Sequence, residues 1–117
     1  ADDCARAVEE IGEPNVEVML DIVPPTIAYE PVGSYFEKCP EIHYVHLCNN
    51  DGRTDAHTRL SEGVLPVEDI VRVLQRYLLD GYVTLELYSE CYKDPEVMLA
   101  NSARFLEQIK ASMGGNQ

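Results

Sequence analysis

Long apolar runs are missing from this chain. None approaches the ~18 residues of a membrane span, and no basic-then-apolar leader is present, so neither membrane insertion nor export is expected. Positive charge is scarce: nine Lys and Arg stand against 21 Asp and Glu, a net charge of −12. Nucleic-acid affinity normally comes from Lys and Arg that displace counterions from phosphates, so a field of this sign argues against a nucleic-acid partner. Cysteine is sparse and widely scattered. Cys4, Cys39, Cys48 and Cys91 form no C-x-x-C pair, which reads as the reduced thiols of a cytoplasmic protein. No short repeat and no linker divides the chain. What remains is 117 residues, 45% of them hydrophobic, with seven Gly and seven Pro. That excludes collagen, low-complexity disorder and a disulfide scaffold, and leaves room for one domain (1–117) with a small core.

The elements alternate. Ala5, Val8 and Ile11 recur at helical spacing behind Asp2 and Asp3, and Gly12 and Pro14 end that helix. Val16–Asp21 reads as a strand stopped by Pro24-Pro25, and a short helix follows around Ser34–Cys39. Ile42–Leu47 reads as a second strand. Asn49-Asn-Asp-Gly52 is turn chemistry and opens a polar stretch to Gly63. Pro66 suits the first turn of a helix striped by Ile70, Val73, Leu74, Tyr77 and Leu78, with Asp80-Gly81 as its stop, Gly being free to turn left-handed. Tyr82–Leu87 reads as a third strand. Asp94-Pro95 then starts a last helix lined by Val97, Ala100, Ala103, Leu106 and Ile109. Strands alternating with helices predict an α/β fold with a parallel sheet.

A period of two sorts each strand into faces. Val16, Val18, Leu20, Val45, Leu47, Val83, Leu85 and Leu87 form an aliphatic side suited to packing on helices. The opposite side ends in Asp21, His46 and Glu86, each at the C-terminal end of its strand, where α/β folds place ligands. Singly, each has a plainer role: a turn acceptor, a core histidine, an edge carboxylate. Together they make a mixed oxygen and nitrogen set suited to a divalent metal such as Mn, Co, Zn or Mg. Asp55-Ala-His57 is a second cluster, able to contact a metal or substrate from an extended loop, with Arg53 and Arg59 flanking it as possible anion contacts. His43 has the opposite parity to His46 and is expected to pack against helices. Tyr88 and Tyr92 could line a pocket or pack the loop.

These residues resemble a known family. His46-Leu-Cys-Asn-Asn-Asp-Gly, Asp55-Ala-His57, Leu60-Ser-Glu-Gly63 and Gly81-Tyr-Val-Thr-Leu-Glu86, with Asn15–Asp21 before them, are similar to the C-terminal part of the xylose-isomerase-like TIM barrels. That superfamily holds sugar-phosphate isomerases and epimerases and also endonuclease IV. The resemblance implies that Asp21, His46 and Glu86 are three of four ligands to a shared metal. The fourth is a Glu on an earlier strand, and nothing in this chain matches it. In the epimerases two Glu residues move protons beside a carbonyl that the metal polarises, and Glu86 would be one of them. Two departures stand out. Pro24 occupies the place of a family His, and Ser61 that of a Gly. Asp55 and His57 match the Asp-x-His zinc pair of endonuclease IV, without its partner His.

A complete (β/α)8 barrel takes ~250 residues, and three of its eight units roughly 95. The expectation is therefore a partial TIM barrel: its last three strand–helix units, with a parallel sheet and flanking helices. A missing barrel portion or self-association would complete the sheet. The expected activity is that of a metal-dependent sugar or sugar-phosphate isomerase or epimerase acting on a small-molecule sugar. The alternatives are an abasic-site phosphodiesterase like endonuclease IV and a non-catalytic barrel relic serving as an interaction module.

Overall fold

The computed structural model describes residues 1–39, 41–78, 80–88 and 93–114, with Met113 described by its backbone alone. Its elements are α1 (Asp2–Ile11), β1 (Leu20–Asp21), α2 (Val23–Ile27), α3 (Val32–Lys38), β2 (Tyr44–Leu47), α4 (Val67–Tyr77), β3 (Tyr82–Leu85) and α5 (Pro95–Gly114). The three strands form one parallel sheet in the order β1-β2-β3. With helices between the strands, this is the α/β architecture of a partial TIM barrel. No helix among the described residues is long and apolar enough to cross a membrane.

Register decides which side chains share a face. Leu20 pairs with Val45 and Val45 with Val83; Asp21 pairs with His46 and His46 with Thr84. Leu20, Val45 and Leu47 are buried against Ile70, Val71 and Leu74 of α4, in one cluster with Ile22, Leu60 and Leu65. Burying each such aliphatic side chain is worth ~1.5–3 kcal/mol, so this face supplies the core. On the other face lies an exposed row: Tyr44 and Tyr82 are register partners whose rings stack at 5.6 Å, and Met19 precedes Leu20 on the same side as Asp21. β3 is an open edge, and even Val83, on the aliphatic side, is 40% exposed.

Several elements differ from the sequence reading. β1 is ladder-paired only at Leu20–Asp21, although burial alternates from Val16 onward. Pro24 and Pro25 do more than end a strand; they sit in the first turn of α2, where a missing N–H costs nothing. Gly12 ends α1 as expected, and it does so in the left-handed conformation, with φ 65°. Gly81 is not left-handed. Its need is space, since a Cβ there would run into the His43 carbonyl oxygen and the Leu78 side chain. α5 follows the expected stripe only at its C-terminal end, where Ile109 is buried and Leu106 half-buried; nearer its start Met98 and Ser102 are buried and Phe105 half-buried, whereas Val97, Ala100 and Ala103 are exposed. Small Ala residues bury little area, so larger side chains at the same 3–4 spacing set the helix's rotation. His43 does not pack among helices. It lies half-exposed just before β2, with Nδ1 2.9 Å from Glu17 Oε2.

Candidate metal and proton-transfer site

Parallel pairing carries Asp21 and His46 to neighbouring strand ends in register, and the ladder continues one step beyond. The Ile22 N–H donates to the His46 carbonyl at 3.3 Å, and the Glu86 N–H to the Leu47 carbonyl at 3.1 Å. Glu86 is thereby held just past β3, beside the end of β2. His46 Nδ1 lies 2.9 Å from Glu86 Oε2. Asp21 Oδ1 accepts the Val23 N–H at 3.0 Å, which fixes its carboxylate over the start of α2.

The loop after β2 brings a second imidazole to the same place. Asn49 and Thr58 form a two-residue antiparallel bridge, with mutual N–H···O bonds of 2.9 and 3.0 Å, that folds the loop back on the strand end. His57 is 2% exposed as a result, and the Tyr88 N–H donates to its carbonyl at 3.1 Å. The Tyr88 ring stacks on the His57 ring at 4.2 Å, and its hydroxyl donates to Asp55 Oδ2 at 3.3 Å. Burial, then Asp55, raises the Tyr88 phenol above its ordinary range, which keeps that donor protonated. One ligand atom from each of Asp21, His57 and Glu86 lies within 4.8 Å of the others.

The sequence reading put Asp21, His46 and Glu86 in one set and Asp55, His57 and Arg53 in another. The geometry groups His57 with Asp21 and Glu86, while His46 touches the group through Glu86. Asp55 Oδ1 is 3.2 Å from His57 Nε2 and stands at the exposed rim. Arg53 is exposed on the loop, its backbone N–H bonded to Asp51 Oδ1. Arg59 is ion-paired with Glu62. Tyr92 lies outside the described residues. Cys48, Asn49 and Asn50 carry no individual role in the sequence reading beyond scattered thiol, turn chemistry and part of the His46–Gly52 motif, yet all three are buried beneath the site. Their short run after an apolar strand end is the one hint the sequence carries.

The protonation pattern tests whether these residues fit a cation. If His57 donates Nε2–H to Asp55, Nδ1 is the lone-pair nitrogen of the neutral ring. That atom lies 3.4 Å from Glu86 Oε2 and 3.5 Å from Cys48 Sγ. Burial pushes the Cys48 thiol up to about 12, so in the metal-free chain it stays protonated. A lone pair facing a carboxylate oxygen needs a cation between them, either a second ring proton or a metal. The available donors are carboxylate oxygen and imidazole nitrogen, which fits a divalent ion.

A parallel sheet bearing carboxylates and imidazoles at the C-terminal ends of its strands defines a β/α-barrel type of site. The chain belongs to the xylose isomerase-like TIM barrel family, whose model matches residues 1–109. Among its relatives is the fructoselysine 3-epimerase of Escherichia coli O157:H7, 31% identical over 112 residues that make up 95% of this chain and 40% of that protein. The fructoselysine 3-epimerase of Shigella flexneri matches with the same identity and coverage, 31% over 95% of this chain and 40% of its own length. The chain thus spans well under half the length of these relatives. No solved structure matches it significantly.

Proposed function

We propose that residues 1–117 are a single domain, the C-terminal portion of a metal-dependent sugar or sugar-phosphate isomerase or epimerase of the cytoplasm. The observation that carries this reading is the convergence of Asp21, His57 and Glu86 within 4.8 Å, with His46 on Glu86, at the open strand ends. The similarity to two epimerases supports the same chemistry. Asp21, Glu86 and one or both imidazoles would hold Mn, Co, Mg or Zn. When bound, such an ion supplies Lewis acidity toward a sugar carbonyl. Glu86 is the proton-moving group. Its Oε2 carries both imidazole contacts, which leaves Oε1 to take a proton from the carbon beside the carbonyl. The Tyr88 ring and Asp55 keep His57 from swinging away from Glu86. The rest of the barrel, with the second proton-moving carboxylate, lies outside these residues, and its strands cover the exposed Met19, Tyr44 and Tyr82 row.

The expected result is exchange of the hydrogen beside a ketose carbonyl with deuterium from solvent, followed by NMR, by the protein carrying the whole barrel and not by its Glu86→Gln variant. A reading frame with no further Glu-bearing strand before residue 1 would count against this reading. One observation favours a second reading, abasic-site cleavage: the Asp55-x-His57 pair joins the same group. Pro24 and the net charge of −12 oppose it. Incision of an abasic duplex in the same preparations, with no ketose exchange, would select it. Absence of stoichiometric metal, with Glu86→Gln changing nothing, would leave a non-catalytic relic.

A further inference from the structure

We infer that Asn49 and Asn50 are positioning residues that seat His57 against Glu86, an assignment that rests on the proposed site for the purpose of that seat. Both are buried, at 4% and 0% exposure, and both spend their carboxamides on one loop. Asn49 Oδ1 accepts the N–H groups of Asn50 at 2.8 Å and Leu65 at 2.9 Å, and its Nδ2 donates to the Leu60 carbonyl at 2.9 Å. Asn50 Nδ2 donates to the Thr54 carbonyl at 2.7 Å and the Ala56 carbonyl at 2.6 Å; its Oδ1 accepts the Gly52 N–H at 2.6 Å. The Val64 N–H donates to the Asn50 carbonyl at 2.9 Å.

Two adjacent side chains therefore reach residues 52, 54, 56, 60 and 65. The segment they encircle carries Asp55 and His57. Leu60 and Leu65 anchor the far end of this loop in the core, and the carboxamides replace water for the backbone around His57, which removes the penalty of folding that segment inward. Asp could not substitute, because it offers no donor to the Thr54 and Ala56 carbonyls. Gly63 completes the clasp. Its φ of 151° disfavours any side chain, and a Cβ would enter the Asn49 carboxamide. The loop is thus a preformed part of the site, not a flap that assembles around substrate.

The readout is the ring-current shift that the Tyr88 ring imposes on the His57 ring protons, read by NMR on the protein carrying the whole barrel. Asn50→Asp is expected to abolish that upfield shift and to weaken Mn²⁺ binding by ~10–100-fold, the usual consequence of disturbing the groups that orient a ligand. Gly63→Ala, which presses on Asn49 from the other side, should do the same and keeps the assignment testable if Asn50→Asp does not fold. Ile70→Val is the control: it removes one methyl group from the core that Leu60 and Leu65 share, leaves the loop's hydrogen bonds in place, and should lower the unfolding midpoint without moving the His57 shift. Retention of the shift in folded Asn50→Asp or Gly63→Ala protein overturns the assignment, as does its loss in Ile70→Val. If the wild-type protein carrying the whole barrel binds no Mn²⁺, the metal reading fails on its own, and the ring-current arm still decides the positioning role.

Discussion

The two faces of the β1-β2-β3 sheet are built to different specifications. Behind it, Leu20, Val45 and Leu47 are 0–2% exposed against α4. In front, Met19, Tyr44 and Tyr82 are 49%, 53% and 68% exposed, and above them stand Asp21, His46 and Glu86. Strand and register are shared, so the contrast comes from alternating side chains and from α4, which covers only the rear. The rear face holds the information that folds the chain. The front face carries the proposed site, together with an apolar row that further strands would cover on the barrel reading proposed above.

The contrast is broken most directly by truncating each face. Leu47→Ala removes a fully buried side chain from the rear and is expected to cost ~2–5 kcal/mol in urea unfolding. Tyr44→Ala removes an exposed ring from the front and should cost no more than the ~0.5–1.5 kcal/mol of its stacking on Tyr82. Equal losses would mean that the front face is already covered in solution.

Next in size is the effect on metal. Glu86→Gln and Asp21→Asn should each weaken Mn²⁺ or Zn²⁺ binding at least ~10-fold, about 1.4 kcal/mol, by calorimetric titration. Neither should alter unfolding of the metal-free chain by more than ~0.5–1 kcal/mol, since neither carboxylate belongs to the rear core. A large loss of stability in Asp21→Asn would show that its bond to the Val23 N–H serves folding first.

Much of this division was legible from residue order. Alternation over Val16–Asp21 and Tyr82–Leu87 separates the faces, although β3 ends at Leu85, and the Pro66–Leu78 stripe identifies the helix that covers the rear. Those are local patterns, and strand parity is a local rule. The position of His57 is not local. It depends on a loop folded back by the Asn49–Thr58 bridge and by two buried carboxamides whose partners lie up to 16 residues away. Parity could nominate His46, which sits within a strand, but had nothing to say about an imidazole arriving from outside the sheet. The rotation of α5 was hidden for a related reason: Val97, Ala100 and Ala103 satisfy the helical spacing as well as Met98 and Ser102 do, and only tertiary packing chooses between them.

Thiol chemistry sharpens the comparison further. Cys48 is 0% exposed beneath the site, and burial holds its thiol protonated, whereas Cys4 lies exposed on α1. At pH 8 iodoacetamide should modify Cys4 within minutes and Cys48 only at the rate of unfolding, as peptide mapping would resolve. Rapid labelling of Cys48 would mean that the front of the sheet opens without the rear core coming apart.

The smallest expected effect lies at the other end of the sheet. The hydrogen bond to Glu17 raises the His43 imidazole above its ordinary value of 6.5, and the Glu17, Glu41 and Asp80 charges add to it. A group whose folded value is raised binds its proton more tightly in the native state than in the unfolded chain. Its contribution to stability is therefore complete below pH 6.5 and fades as pH rises through the folded value. Both side chains are about two-fifths exposed, so solvent screens the pair and the slope should be shallow. His43→Gln should flatten that part of the stability–pH curve and leave the His57 resonances alone. An NMR titration in which His43 shows no upward displacement, or in which its substitution shifts His57, would show that the exposed pair and the buried site are not independent.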